Sequence, residues 1–545
     1  MSRLNESRRK FLRQAATGLG ALGIGTSMID RIAGAFLNRS MAEALGVAAV
    51  PVENEWQYVH VSIVGGLPRW YFDLLLNPRN RASDFTAGGF GNSIDVVGGV
   101  AHSVNRYVNH VSGTRTYAVP PVWGLGYNGR LFRDLLNNTA LIRGMDNQIN
   151  SHEFANAMQV APIINGLSLS GLIADASRRP VPGLTTGAPS GNAFRSRKGL
   201  AAVALPGGTN PIATLLTPFQ SFPAAAVFQR NEWAAVREQT QLAFDHYALA
   251  SGVTPTTLRI AYDNASDMIE AQAAQIADGW VTILAKYKAP MNHAFHMDNV
   301  TSFFPQAIRG DGTAQCTINQ GSVRTSDADL RQAFTGVGGV SVNIPNMAEQ
   351  FAAAELLLGN NITSSVSLGM GSMTGLKVNG ASYTLPNDQH FVGRIPSTVF
   401  STVYYRALLG CLSEFVHTLK AQGRFAKTAI HIASEFNRCP RADGSGSDHG
   451  VAGSNATIIS GAIDRTSLIG NVIKAGQPGS ITYTGTWGYA ANYDLSGSNR
   501  PIQVNDVAAT LAAMMEIGSE GLVTNGRLLL DPRTGLPLSE VANNV

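Results

Sequence analysis

Cysteine is scarce in this chain: Cys316, Cys411 and Cys439 are the only three in 545 residues. The count is odd, the spacing is wide and no CxxC occurs, which argues against a disulfide framework and a zinc–thiolate site. Cys411 falls on a helical pattern and is expected in the core. Cys439 is expected as a free loop thiol. Charge is thin as well. Asp, Glu, Lys and Arg make up 14% of the residues, and the net charge of +4 is spread with no basic run after the N-terminal segment. A nucleic-acid partner is therefore not expected. Long apolar runs are also missing. No stretch has the roughly 18 uninterrupted apolar residues of a membrane span, so the mature chain is expected to carry none. What is plentiful is apolar side chain, at 44%, and glycine, at 57 residues. The first excludes a disordered chain and provides a large core; the second fits a loop-rich α/β protein.

The N-terminus reads as an address. Ser7-Arg8-Arg9-Lys10-Phe11-Leu12 is a twin-arginine pattern, a Gly/Ala-rich segment follows from Ala15 to Ile24, and Ala42-Glu43-Ala44 is a small-x-small cleavage site. That order predicts a signal peptide over 1–44 and a mature chain from near Leu45. It makes the twin-arginine translocase a partner during export and places the mature protein in the periplasm or outside the cell. An ordinary basic amphipathic N-terminus is the competing reading.

Beyond it, hydrophobic patterning alternates between strand and helix. Trp56 to Val64, Thr139 to Arg143, Ser364 to Met370, Thr428 to Ala433 and Ala456 to Ile463 read as strands or apolar stretches. Phe154, Ala157 and Met158 mark a helix, as do Val399, Val403, Ala407, Cys411, Phe415 and Leu419, which end at Gly423. Asn231 to Lys288 is mostly helical, and Val504 to Ile517 is a final helix with Asn505 or Asp506 as N-cap. The stretch from Ser170 to Thr217 is rich in Gly, Pro and Ser and reads as long loops with short strands. Alternating strands and helices predict an α/β fold with a mostly parallel sheet covered on both faces. No linker cuts the chain, so 45–545 is expected to be one domain with a variable loop and helical region over 165–345.

Four polar clusters fall at or just after these strand ends. They are Gly65-Gly66 through Asp73; Arg143 through Asn150-Ser151-His152-Glu153; Asn387-Asp388-Gln389-His390; and Glu435-Phe436-Asn437-Arg438 with Asp448-His449. In a parallel sheet the loops converge on one edge, where ligands bind. Carboxylates and imidazoles gathered there are equipment for one or two divalent ions. Each has a plainer reading: an N-terminal helix pair for His152-Glu153, an Asx turn for Asp388, a buried ion pair for Glu435 with Arg438, and an exposed loop for Asp448-His449. Asp73 could cap a helix, and the cluster of His293, His296 and Asp298 reads either as a second metal site or as helix-end surface.

The order of these motifs resembles an exported family catalogued as domain-of-unknown-function family 1501, placed with the alkaline phosphatase/sulfatase superfamily. The residues that carry the resemblance are Arg8-Arg9, Gly65-Gly66 with Asp73, Asp388-x-His390, Glu435-Phe436-x-Arg438-x-Pro440 and Asp448-His449. The resemblance implies a three-layer α/β/α sandwich, alkaline-phosphatase-like, with a metal-assisted site at the carboxyl edge of the sheet. It implies a divalent metal ion (Zn, Mn, Mg or Ca) on Asp388, His390, Glu435, Asp448 and His449, with Asp73 a further candidate. It points to Ser151 as nucleophile beside His152, with Arg438 steering the anion. The substrate the resemblance implies is an anionic ester, phosphate or sulfate, such as one on a surface polysaccharide. The chain departs from the pattern at Phe436, where superfamily hydrolases carry a metal-binding His, and no Cys lies near Ser151, so a formylglycine sulfatase is not expected. The alternative is a non-catalytic module that keeps the fold and binds a glycan or an envelope protein partner.

Overall fold

A computed structural model of the chain describes residues 55–76, 91–205, 279–294, 344–473 and 489–541, less short gaps within these ranges, together with Leu242 and Gln315–Cys316. The expected leader, most of the helical stretch 231–288, and His296 and Asp298 lie outside the described residues. The chain divides into two compact units, and the elements below belong to the one formed by Pro51–Thr209 and Asp278–Val545.

Ten strands and five helices are enough to place the site. They are β1 (Gln57–Ile63), β2 (Thr139–Met145), α1 (His152–Val160), α2 (Leu169–Asp175), β3 (Leu184–Thr186), β4 (Val203–Leu205), α3 (Met347–Gly359), β5 (Ser365–Met370), α4 (Arg394–Ala421), β6 (Thr428–Ala433), β7 (Asn437–Pro440), β8 (Ser447–Gly450), β9 (Ser454–Ser460), β10 (Ser467–Ile469) and α5 (Val504–Met514). Eight of the strands form one sheet in the order β4-β3-β5-β1-β6-β9-β2-β10. β1 runs parallel to both β5 and β6. β9 runs antiparallel to both β6 and β2, so β2 points the same way as β6. The sheet is thus mostly parallel, with β9 the reversed strand.

The central strands are buried along their whole length, as expected of a sheet covered on two faces. Side chains of opposite parity in β1 show what covers each face. Ser62 Oγ donates to Asn156 Oδ1 of α1 at 2.7 Å, while Gln57 Nε2 donates to the Leu358 carbonyl of α3 at 3.3 Å. Helices α1, α2 and α5 share one apolar cluster with Tyr58, Ile142 and Ile458 of the sheet. The expected strands therefore appear with ends moved by at most three residues, and the α/β class holds.

Four local expectations are corrected. The chain from Leu169 to Asp175 is helical rather than loop, because Ser168 caps it by accepting from the Gly171 amide. The N-cap of α5 is Gln503, and Asp506 sits three residues in, where it accepts from the Gln503 amide at 3.1 Å. Asp448 and His449 are not on an exposed loop. They lie on β8, paired with β7 so that Arg438 faces His449 and Cys439 faces Asp448. Cys439 is accordingly buried rather than a loop thiol, and Cys411 is buried in α4 as expected.

A buried ion pair ties the loop after β1 to the sheet. Asp73 accepts from Arg69 through both carboxylate oxygens, from Asn455 Nδ2 at 2.7 Å and from Thr457 Oγ1 at 2.7 Å, and both ion-pair partners are sealed from solvent. Removing one charge of such a pair strands the other. Asp73→Asn is expected to destabilise the fold by about 3–5 kcal/mol, read as a lower urea midpoint at unchanged slope.

Candidate functional site

The loops after β1, β2, β5 and β6 leave the sheet at the same edge, since these strands are parallel to one another. The loop after β1 turns at Gly65 and Gly66, whose φ angles of 102° and 62° lie in the left-handed region. Both glycines are also needed for space. A Cβ on Gly65 would stand 2.7 Å from Asn387 Cβ, and one on Gly66 would stand 2.8 Å from the Phe436 ring. The Asp388 loop therefore packs directly on the β1 loop, and Asn387 Nδ2 fastens it by donating to the Val64 carbonyl at 2.8 Å.

Arg438 completes the frame. Its guanidinium is fully buried and donates from Nε to the Gly66 carbonyl at 2.8 Å, from one terminal nitrogen to the Gly65 carbonyl at 2.8 Å, and to Asp388 Oδ1. The expected anion-steering group is thus turned inward and braces the site.

Asp388 is the point on which three imidazoles converge. His152 Nε2 lies 3.6 Å from Oδ2, His390 Nε2 lies 3.2 Å from Oδ1, and His449 Nε2 lies 3.7 Å from Oδ1. His390 Nε2 and His449 Nε2 are 3.0 Å apart. The far nitrogen of every ring meets an oxygen. His152 Nδ1 is 2.8 Å from Glu435 Oε1, His390 Nδ1 is 3.2 Å from Asp448 Oδ1, and His449 Nδ1 contacts Asn150 Oδ1. Phe436 packs its buried ring on His449 and His152, at centroid distances of 4.0 and 4.9 Å.

These positions set the protonation. Hydrogen bonding to Asp388 and then to Glu435 pushes the His152 imidazole up to about 9, against the cost of its burial. Burial works against the charged form of Asp388, but His152, His449 and the Arg438 guanidinium outweigh it and hold the carboxyl well below the usual carboxylate range. Burial and the neighbouring Arg438 lower His390.

Of the residues expected at the site, His152, Asp388, His390, Glu435, Arg438, Asp448 and His449 are brought together. Among the described residues, His152, Asp388 and His449 can each offer one atom to a common ion. Asp73 is not with them: its carboxylate oxygens are occupied in the core by Arg69, Asn455 and Thr457. Ser151 stands at the start of α1 with no capping bond, and no hydrogen bond from its hydroxyl reaches the cluster among the described residues. Contacts that were not foreseen include the Gly65 amide and His152 on Glu435, Arg438 on Asp388 and Asn150 on His449. Asn150 lies in the polar run before His152, which was its one visible signal.

No family model, curated protein or solved structure matches the chain. No helix among the described residues is long and apolar enough to cross a membrane.

The raised imidazole of His152 has a measurable consequence in chelator-treated protein. A proton is held more tightly in the folded chain than at the ordinary histidine value of 6.5. The stabilisation is therefore complete below about 6.5 and disappears as pH rises through about 9. The urea midpoint should fall over that window, and His152→Gln should flatten the fall.

Proposed function

We propose that the cluster holds a divalent cation on Asp388, His152 and His449, with His390 packed beside them, in a hydrolase-like site for an anionic ester, phosphate or sulfate. The observation that carries this reading is the common orientation of the three rings, each with Nδ1 against an oxygen and Nε2 toward Asp388. Donor atoms around a tetrahedral ion with bonds of about 2.0–2.2 Å stand roughly 3.3–3.6 Å apart. His152 Nε2 and His449 Nε2 stand 3.6 and 3.7 Å from the oxygens of Asp388, close to that spacing. Imidazole suits zinc-like ions better than magnesium or calcium, so of Zn, Mn, Mg and Ca the donor set favours Zn.

A bound ion would neutralise ester charge and lower the pKa of an attacking oxygen. The chain supports that chemistry in its own way. Arg438 keeps Asp388 ionised from below, and Phe436 fixes two of the rings. The first turn of α1, uncapped by Ser151, begins at His152 beside the cluster and favours negative charge there. The mostly parallel sheet with its site at the carboxyl edge fits an alkaline-phosphatase-like sandwich, and with the motif order it supports membership of the exported family named above. A surface polysaccharide ester reached after twin-arginine export, in the periplasm or beyond, is the substrate class consistent with that leader.

A second reading is a retained fold that binds a glycan or an envelope protein without turnover. It is favoured by one observation: Ser151, the nucleophile candidate, stands at the start of α1 and makes no side-chain capping bond there.

Elemental mass spectrometry of the exported protein, purified without added metal, separates the two. The expected result is one transition-metal ion per chain, absent from an Asp388→Ala/His449→Ala variant, with hydrolysis of phosphate or sulfate esters falling to background in the same variant. A folded wild-type chain free of metal would sink the metal-site reading.

A further inference from the structure

We propose that Glu435 is a positioning residue rather than a metal ligand: it holds His152 in the tautomer and rotation that turn Nε2 toward Asp388. This rests on the cation site proposed above. Glu435 lies two residues past the end of β6, after Ser434, and is fully buried. Its Oε1 meets the Gly65 amide at 2.7 Å and His152 Nδ1 at 2.8 Å. An ionised carboxylate can only accept, so the ring proton facing it belongs on Nδ1. Nε2, on the other side of the ring, is then the atom directed at Asp388 Oδ2, 3.6 Å away. Rotation of the ring is opposed by the packed rings of Phe436 and His449, whose centroids lie 4.9 and 4.8 Å from its own.

The same carboxylate oxygen sets the second half of the site. Gly65 is the residue against which the Asn387-Asp388 backbone packs, and its amide is held by Oε1. One oxygen atom therefore places both His152 and the loop that carries Asp388. The other oxygen, Oε2, is buried and has no hydrogen-bond partner among the described residues. Glu435 acts electrostatically on buried Arg69 and Tyr404. A single buried water would satisfy Oε2 there. The residues whose atoms can meet at one ion are His152, Asp388 and His449, without Glu435. A carboxylate behind a ligating imidazole fixes its tautomer, and its loss weakens metal binding by about 10–100-fold without abolishing it.

Zinc titration of the chelator-treated full chain tests this. Glu435→Gln keeps an oxygen that accepts from both donors. It should bind zinc with wild-type stoichiometry and an affinity lower by about 10–100-fold, whereas Asp388→Ala should bind none. Complete loss of zinc from a folded Glu435→Gln chain would make Glu435 a ligand and overturn the proposal, as would wild-type affinity. A second readout does not depend on metal. In the zinc-free chain labelled with ring-15N histidine, a slowly exchanging Nδ1 proton, assigned by its disappearance in His152→Gln, should survive Glu435→Gln and vanish in Glu435→Ala. Its absence from the wild-type chain overturns the positioning role whether or not zinc binds. A wild-type chain that shows this proton but takes up no zinc overturns the cation site and supports the Glu435–His152 contact.

Discussion

A guanidinium sealed from water must find acceptors, and the site is organised around that demand. Arg438 has no exposure, and it reaches the carbonyls of Gly65 and Gly66 and the carboxylate of Asp388. An unpartnered charge in that position would cost far more than any one contact supplies. The β7–β8 hairpin, the loop after β1 and the loop carrying Asp388 are consequently held in one relative position. The glycines make this possible, because a side chain at either would push the loops apart.

Two acid–base systems meet at Asp388. From the interior, Arg438 keeps the carboxylate charged. From the outer side, the three imidazoles present nitrogen atoms to it, and hydrogen bonding to Asp388 and then to Glu435 raises His152. Proton and metal ion are alternative ways of meeting the same excess of negative charge. The oxygens on the Nδ1 atoms differ in kind, with Glu435 behind His152, Asp448 behind His390 and Asn150 behind His449. Their common effect is to direct the rings inward.

The sheet was largely legible because its signals are local. Thr428–Ala433 was bounded to the residue by β-branched alternation between Lys427 and Ser434, and the first strand moved by one residue at each end. The reversed strand β9 was visible as an apolar stretch but its direction was not, because direction depends on the hairpin that precedes it. The same hairpin hid the character of Asp448 and His449. Gly and Ser on both sides suggest an exposed loop, yet pairing with Asn437–Pro440 makes it a strand.

What the sequence by itself determined is the set of chemical groups and the strand ends from which they project: Gly65-Gly66, His152, Asp388, His390, Glu435, Arg438 and Asp448-His449. Periodicity and turn residues carry that information along the chain, within a few residues of each position. Tertiary structure alone decided the roles. Asp73 and Arg438 have the same charges whether they face solvent or core, and only the fold buries both, one against Arg69 and the other against Asp388. Glu435 and His152 are 283 residues apart in sequence, and their 2.8 Å contact arises because two parallel strands end at one edge. Which side of a carboxylate or imidazole faces the site is set by such distant partners, and no local pattern encodes it.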